Sequence, residues 1–391
     1  MNFIERQNAA AEKAQAVVGT SSSSHFSLGD VAERAMRGIG QVFAQRSATT
    51  GVVFALAISL NSIGMGVVCV AGAIMSTLAG VLLGSEQAVV DDGVLGLNGA
   101  LTSGAVLAYT TPDLSLAGLT NPYLWGWLGL ASLATTLVVT ALRSLLKRRN
   151  LPLLALPFCL VTWVFLAALK QFPFIGVSLQ FTSGAVTGGG VNPSSWIALL
   201  DGTLNGISSA FFQQGCIAAL FILVAVAVNS WRSALLALGG SVLATCTAFA
   251  LGASGSMVSS GAYGVNGALT SVFLGLMLPL DELREWIYPL AGALMATIAL
   301  AAAVSILQPL GLPVLLVPFV LVTWTLSEAT RGFPTLSFGV DSYNTNPHFY
   351  LLEHIRSGST DSDEEEDALK QLSEGATEVH GLECEEEARY G

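Results

Sequence analysis

From Thr50 onward the chain runs as long apolar stretches separated by short polar joints. A helix needs about 20 apolar residues to cross the hydrocarbon layer of a bilayer. The stretches predict spans near residues 50–66, 67–84, 94–109, 122–145 and 151–169, then 214–230, 233–252, 262–280, 286–308 and 312–330. Ahead of each set of five stands a segment too short to cross alone, near 34–48 and 206–213. Half-membrane helices are tolerated only where protein or a water-filled path satisfies their free backbone ends. A pair of them, one per set, would meet near the midplane and line a path. The rival reading is an amphipathic surface helix, favoured for the first segment by Arg34 and Arg37; the second has polar turns and no basic residue, which favours a half-helix.

The second set repeats the first. At an offset of 168, Gly38-Ile39-Gly40-Gln41-Val42-Phe43 aligns with Gly206-Ile207-Ser208-Ser209-Ala210-Phe211, and Asn61-Ser62 with Asn229-Ser230. The same offset pairs Gly96-Leu97-Asn98-Gly99-Ala100-Leu101 with Gly264-Val265-Asn266-Gly267-Ala268-Leu269. At an offset of 161, Leu151-Pro152, Pro157-Phe158 and Val161-Thr162-Trp163 align with Leu312-Pro313, Pro318-Phe319 and Val322-Thr323-Trp324, and Phe172-Pro173 with Phe333-Pro334. Ordered blocks of this kind mark an internal duplication. Five spans per copy is odd, so the second copy is expected to enter the membrane from the opposite side, as an inverted repeat. With the N-terminus cytosolic, Lys147-Arg148-Arg149, Arg232, Arg284 and Arg331 fall on the inner side and Lys170 is the exception. The expected fold is an all-α, multi-pass integral membrane protein with both termini cytosolic. Its divisions are a cytosolic arm at 1–33, a first repeat at 34–173, a connector at 174–205, a second repeat at 206–335 and an acidic tail at 336–391.

Composition agrees with a bilayer protein: 52% of the residues are hydrophobic and 11% charged, against about 25% charged in soluble domains. The net charge of −11 misleads, because residues 357–391 hold 12 acids and 2 basic residues, leaving the other 356 residues near −1. That tail buries too little to fold by itself and reads as disordered and solvated; Ser359, Thr360 and Ser362 beside acids offer a binding or phosphorylation reading. The arm has no long apolar core, so no secretory signal peptide is expected. Cys69, Cys159, Cys216 and Cys246 stand singly in apolar stretches and read as packing residues. The histidines, His25, His348, His354 and His380, lie outside the spans, which argues against intramembrane acid–base chemistry.

Two polar features remain. Asn98 and Asn266 either line a pore or tie helix backbones together, and the adjacent Gly99 and Gly267 favour the structural role. The Leu-Pro-x-x-x-x-Pro-Phe blocks free carbonyls, which either kink the helix or face a permeant rich in N–H donors. Charges near the spans are Lys170, Asp201 and Glu328, each by a span end; with no buried carboxylate or Arg expected to bind a driving ion, the reading is a passive, uncharged permeant. Gly188-Gly189-Gly190 reads as a flexible joint. No cofactor, metal or nucleic-acid partner is expected.

The duplicated blocks Gly-Ile-Gly-Gln-Val-Phe, Asn-Gly-Ala-Leu and Leu-Pro-x-x-x-x-Pro-Phe-x-Leu-Val-Thr-Trp resemble the urea transporters over about residues 36–335. The resemblance implies two inverted repeats around a central pore in each protomer, a homotrimer, a plasma-membrane location, and channel-like downhill movement of urea or a similar small neutral solute. It also implies a set of path residues: Gln41, Val42, Ala44, Leu97, Leu101 and Ala155 from the first copy; Ser209, Ala210, Phe212, Val265, Leu269 and Leu316 from the second. Gln41 and Phe212 keep the family's amide and aromatic wall, and Leu101 and Leu269 keep its apolar positions. Departures are Ala44 for a common Phe, Ser209 for a larger polar residue, Leu97 and Val265 for aromatics, and Ala155 and Leu316 for threonines. Readings from other classes are a non-transporting scaffold whose acidic tail recruits a partner, and, less favoured, a membrane enzyme.

Overall fold

The computed structural model describes residues 27–110, 119–147, 151–172, 196–278 and 280–332. The four histidines, the Gly188–Gly190 joint, Arg148, Arg149, both Phe-Pro prolines and the acidic tail lie outside them. Every regular element among the described residues is helical. The first copy comprises α1 Leu28–Gly40, α2 Ala48–Asn61, α3 Ile63–Leu82, α4 Gln87–Asp91, α5 Val94–Thr110, α6 Pro122–Lys147 and α7 Leu156–Leu169. The second comprises α8 Trp196–Ser208, α9 Cys216–Asn229, α10 Trp231–Ala250, α11 Gly255–Ser259, α12 Ala262–Gly275, α13 Leu283–Leu307 and α14 Val317–Gly332. Helix starts match across the copies at the same offsets of 168 and then 161 that align the sequence.

A helix stands at each expected span, although several, such as α2, α7 and α9 at 14 residues each, are shorter than a crossing alone requires. The first two expected spans divide earlier than their apolar runs suggest. Ser62 is extended, ends α2, and accepts the Met65 N–H at 3.2 Å to start α3; Ser230 does the same for α10 through Ser233 at 3.3 Å. The fifth span of each copy begins late, at Leu156 and Val317, because Leu154 (φ 50°) and Leu315 (φ 54°) turn the chain left-handed first. The short opening segments start earlier than expected. α1 starts at Leu28 behind a capping box, where Ser27 and Asp30 each accept the other's backbone N–H at 3.1 and 2.9 Å. α8 starts at Trp196, ten residues inside the stretch expected to be connector.

Each opening helix runs through a 3₁₀ turn, Gln41–Phe43 or Ser209–Phe211, and then breaks. The paired helices meet at 76° in the first copy and 71° in the second. With 13 and 14 residues in the first pair, neither member alone reaches the length of a span. Arg34 and Arg37, the grounds for a surface helix, instead reach α4: Arg34 pairs with the Asp91 carboxylate and Arg37 donates to the Asp91 carbonyl at 2.6 Å.

α5 and α12 sit at the centre, buried on nearly every side. Small residues let their neighbours approach to backbone contact. A Cβ at Gly99 would lie 2.4 Å from the Gly72 carbonyl of α3, and one at Gly267 would lie 2.6 Å from the Gly240 carbonyl of α10. Hydroxyl pairs tie α6 to the same core, Ser76 to Thr136 at 2.9 Å and Thr135 to Thr102 at 3.1 Å. The outer helices turn apolar faces outward, with Leu130, Leu133 and Leu137 on α6 and Ile287, Met295 and Ile298 on α13. Among the described residues, four helices are long and apolar enough to span a membrane, giving up to six spans if each bent pair counts as one. Of the cysteines, Cys69 and Cys159 pack inside, whereas Cys216 and Cys246 are exposed on the outer helices, contrary to the packing role expected for all four.

Gly99→Val is expected to lower the unfolding temperature of detergent-solubilised protein sharply. The added carbons meet backbone that cannot rotate away, so the cost falls at or above the roughly 1–3 kcal/mol typical of overpacking. Gly126→Val, at a position with open space around its Cβ, is the matched control and is expected to unfold near wild type.

Candidate functional site

The site is built where the helix breaks meet the central helices. Breaking a helix in an apolar interior frees N–H and C=O groups that must be satisfied within the protein. α7 starts without a side-chain cap of its own, because its N-cap is Ala155 and its second residue is Pro157. Asn98 caps it from a distance: its Oδ1 accepts the Phe158 N–H at 3.1 Å, and its Nδ2 donates to the Val94 carbonyl at 3.1 Å and the Leu154 carbonyl at 3.4 Å. Asn266 does the same for α14, accepting from Phe319 at 3.0 Å and donating to Ala262 and Leu315 at 3.1 and 3.4 Å. The structural role favoured for both Asn residues is what the structure shows. Of the carbonyls around the Leu-Pro blocks, Pro152 accepts the Trp324 indole N–H and Pro313 accepts that of Trp163, each at 2.7 Å. Those carbonyls therefore hold the copies together.

Further reciprocal bonds join the copies. Asn61 donates to Gln213, and Asn229 donates to Gln45. Each contact recurs with the copies exchanged, the signature of a two-fold relation between them.

Within this frame the twelve expected path residues gather. Gln41 and Val42 lie in the first 3₁₀ turn and Ser209 and Ala210 in the second. Ala44 (φ 57°) and Phe212 (φ 58°) are the left-handed residues that end those turns. Leu97 and Leu101 flank Asn98 on α5, and Val265 and Leu269 flank Asn266 on α12. Ala155 and Leu316 immediately follow left-handed Leu154 and Leu315. The ten apolar members belong to one continuous core cluster, with Phe212 half-buried at its margin. Leu97 keeps 7% of its surface accessible, against 1% or less for Leu101 and Ala105 on the same helix. Left-handed backbone at a non-glycine residue costs roughly 1–3 kcal/mol and gathers at functional sites. Here four such residues fall on, or next to, the expected path positions.

The two turns differ in polarity. In the first copy Gln41 donates to the Asp92 carbonyl at 2.9 Å, and the Asp92 carboxylate pairs with Arg46. In the second, Ser209 donates to the Gly261 carbonyl at 3.4 Å, and the positions matching Arg37, Arg46, Asp91 and Asp92 are Asn205, Gln214, Ser259 and Ser260. Asn205 repeats the backbone contact of Arg37 by donating to the Ser259 carbonyl at 2.7 Å. The expectation of no buried carboxylate needs correcting, since Asp92 and Glu285 are both buried. Each is engaged structurally: Asp92 with Arg46, and Glu285 with the Asp281 and Glu282 backbone N–H groups at 2.7 and 3.1 Å. Sequence reading also passed over the rings around Phe212, which meets Tyr109 at 6.3 Å and Phe158 at 6.2 Å between centroids. Phe158 stood in a repeated block; Tyr109 had no such signal.

Asn98→Ala is expected to destabilise the solubilised protein by about 3 kcal/mol, because it strands the Phe158 N–H and the Leu154 carbonyl in the interior; thermal unfolding in detergent checks this. Asp92→Asn leaves Arg46 facing a neutral amide, and a loss of about 2 kcal/mol is expected by the same assay. Ser260→Ala at the matching position is expected to cost less than half as much.

A model of the urea transporter family matches residues 32–331. Among curated relatives, Urea transporter 1 of Ovis aries is 24% identical over 304 residues, covering 77% of each chain. Urea transporter 1 of Rattus norvegicus is 23% identical over 322 residues, covering 81% of this chain and 78% of its own. With that match extending over both copies and all twelve path positions, this chain belongs to the urea transporter family.

Proposed function

We propose that the protein is a passive, channel-like transporter of urea across a membrane. The observation that carries this reading is the convergence of two strained helix breaks and two Asn-clamped helix starts on one cluster that contains the family's path positions. Urea is flat and neutral, with four N–H donors around one carbonyl. An apolar slot with a few oxygen acceptors exchanges its hydration for weak, repeated contacts, which permits fast exit. The Gln41 side chain supports this, since its amide nitrogen is held by the Asp92 carbonyl and its Oε1 remains available as an acceptor. The buried carboxylates have structural partners, which fits movement without ion coupling. In this reading the copies lie inverted in the membrane, the path runs between them, three protomers assemble, and both termini face the cytosol of a plasma-membrane protein.

Stopped-flow uptake into proteoliposomes, with acetamide and glycerol beside urea and empty vesicles as control, tests the proposal. Saturable urea flux unaffected by collapse of proton and sodium gradients is expected. Flux of acetamide without flux of urea would replace the substrate, and silence for all three solutes would favour the scaffold reading.

A further inference from the structure

Around the second helix break, three features form one wall. The Phe212 ring lies against the Phe158 ring of α7, beside Tyr109 of α5, and over Gly104, whose added Cβ would come within 3.3 Å of the ring. The internal duplication assigns each of these a counterpart: Ala44 for Phe212, Phe319 for Phe158, Met277 for Tyr109, Val272 for Gly104 and Phe273 for Ala105. Large and small have changed places. Where the break supplies a ring, the central helix has Gly104-Ala105; where the break supplies only Ala44, the central helix has Val272-Phe273. The helix-start phenylalanine keeps an aromatic neighbour in both halves. Phe158 meets Phe212 from the break, whereas Phe319 meets Phe273 from α12, at 5.1 Å between centroids and 52° between planes. Ala44, Phe273 and Phe319 belong to the same core cluster, and the Gln41–Phe43 turn packs against α12.

We infer that Phe273 is a specificity-determining residue that supplies, from the central helix, the aromatic wall that the first helix break lacks at Ala44. This rests on the reading of the cluster as a urea path. A planar amide is favoured between aromatic faces because its N–H edges and flat surface both find partners there, whereas a bulkier or puckered solute meets the walls edge-on. The path then has one wall from a break and one from a helix, so its slot is asymmetric although its backbone is two-fold.

The test is the ratio of 1,3-dimethylurea flux to urea flux in proteoliposomes for wild type, Phe273→Ala, Phe273→Leu, Ala44→Phe and the double variant Phe273→Ala with Ala44→Phe. Removing the wall is expected to raise the ratio about tenfold, the discrimination a pocket of this kind loses when its steric limit is relaxed. Phe273→Leu keeps the packing volume and guards against misfolding of the alanine variant; it is expected to raise the ratio in the same direction. Ala44→Phe alone is expected to reduce urea flux, because it adds a ring where the matching central helix carries Val272 and Phe273 in place of Gly104 and Ala105. The double variant, with its ring restored from the break, is expected to return the ratio toward wild type. Wild-type urea flux with an unchanged ratio in both Phe273 variants would overturn the wall and leave the transport reading intact. Absence of urea flux in the wild type would overturn the transport reading and the wall with it.

Discussion

In an apolar interior every broken helix leaves backbone groups that water cannot reach, and the arrangement of this protein follows from how those groups are satisfied. An unsatisfied N–H or carbonyl costs about 1–3 kcal/mol, as does a left-handed leucine. The Asn98 side chain offsets both at once, since one amide caps α7 and holds the Leu154 carbonyl in its left-handed turn. Asn266 repeats this at Leu315 and Phe319. The starts of α7 and α14, which Ala155 and Leu316 immediately precede, are thereby fixed to the central helices that carry Leu97 and Val265.

A second level of constraint joins the copies. The Trp163–Pro313 and Trp324–Pro152 bonds, and the two Asn–Gln bonds, each occur once in either sense. A displacement of one copy against the other would break both members of each pair together, which stiffens the junction. Symmetry is kept where backbone must be satisfied. It is relaxed in side chains: Arg46 and Asp92 correspond to Gln214 and Ser260, and Ala44 with Phe273 to Phe212 with Ala105. The duplicated backbone thus carries diverged side chains, an ion pair beside the first break and neutral polar residues beside the second.

The apolar runs and the duplicated blocks determined the helical segments and the pairing of the copies, because burial in lipid is a property of each segment and a repeat is visible in the order of residues alone. The serines that divide α2 from α3 and α9 from α10 were visible too, but hydropathy averages across single polar residues, so the division at Ser62 was displaced. Only the tertiary structure decided that α8 begins at Trp196, that Asn98 serves a helix start 60 residues away, that Asp92 is buried against Arg46, and that Phe273 rather than position 44 meets Phe319. The physical reason is common to all four. Hydrophobicity acts residue by residue along the chain, whereas hydrogen bonds and ring contacts depend on distance and direction, and those exist only once distant segments have packed.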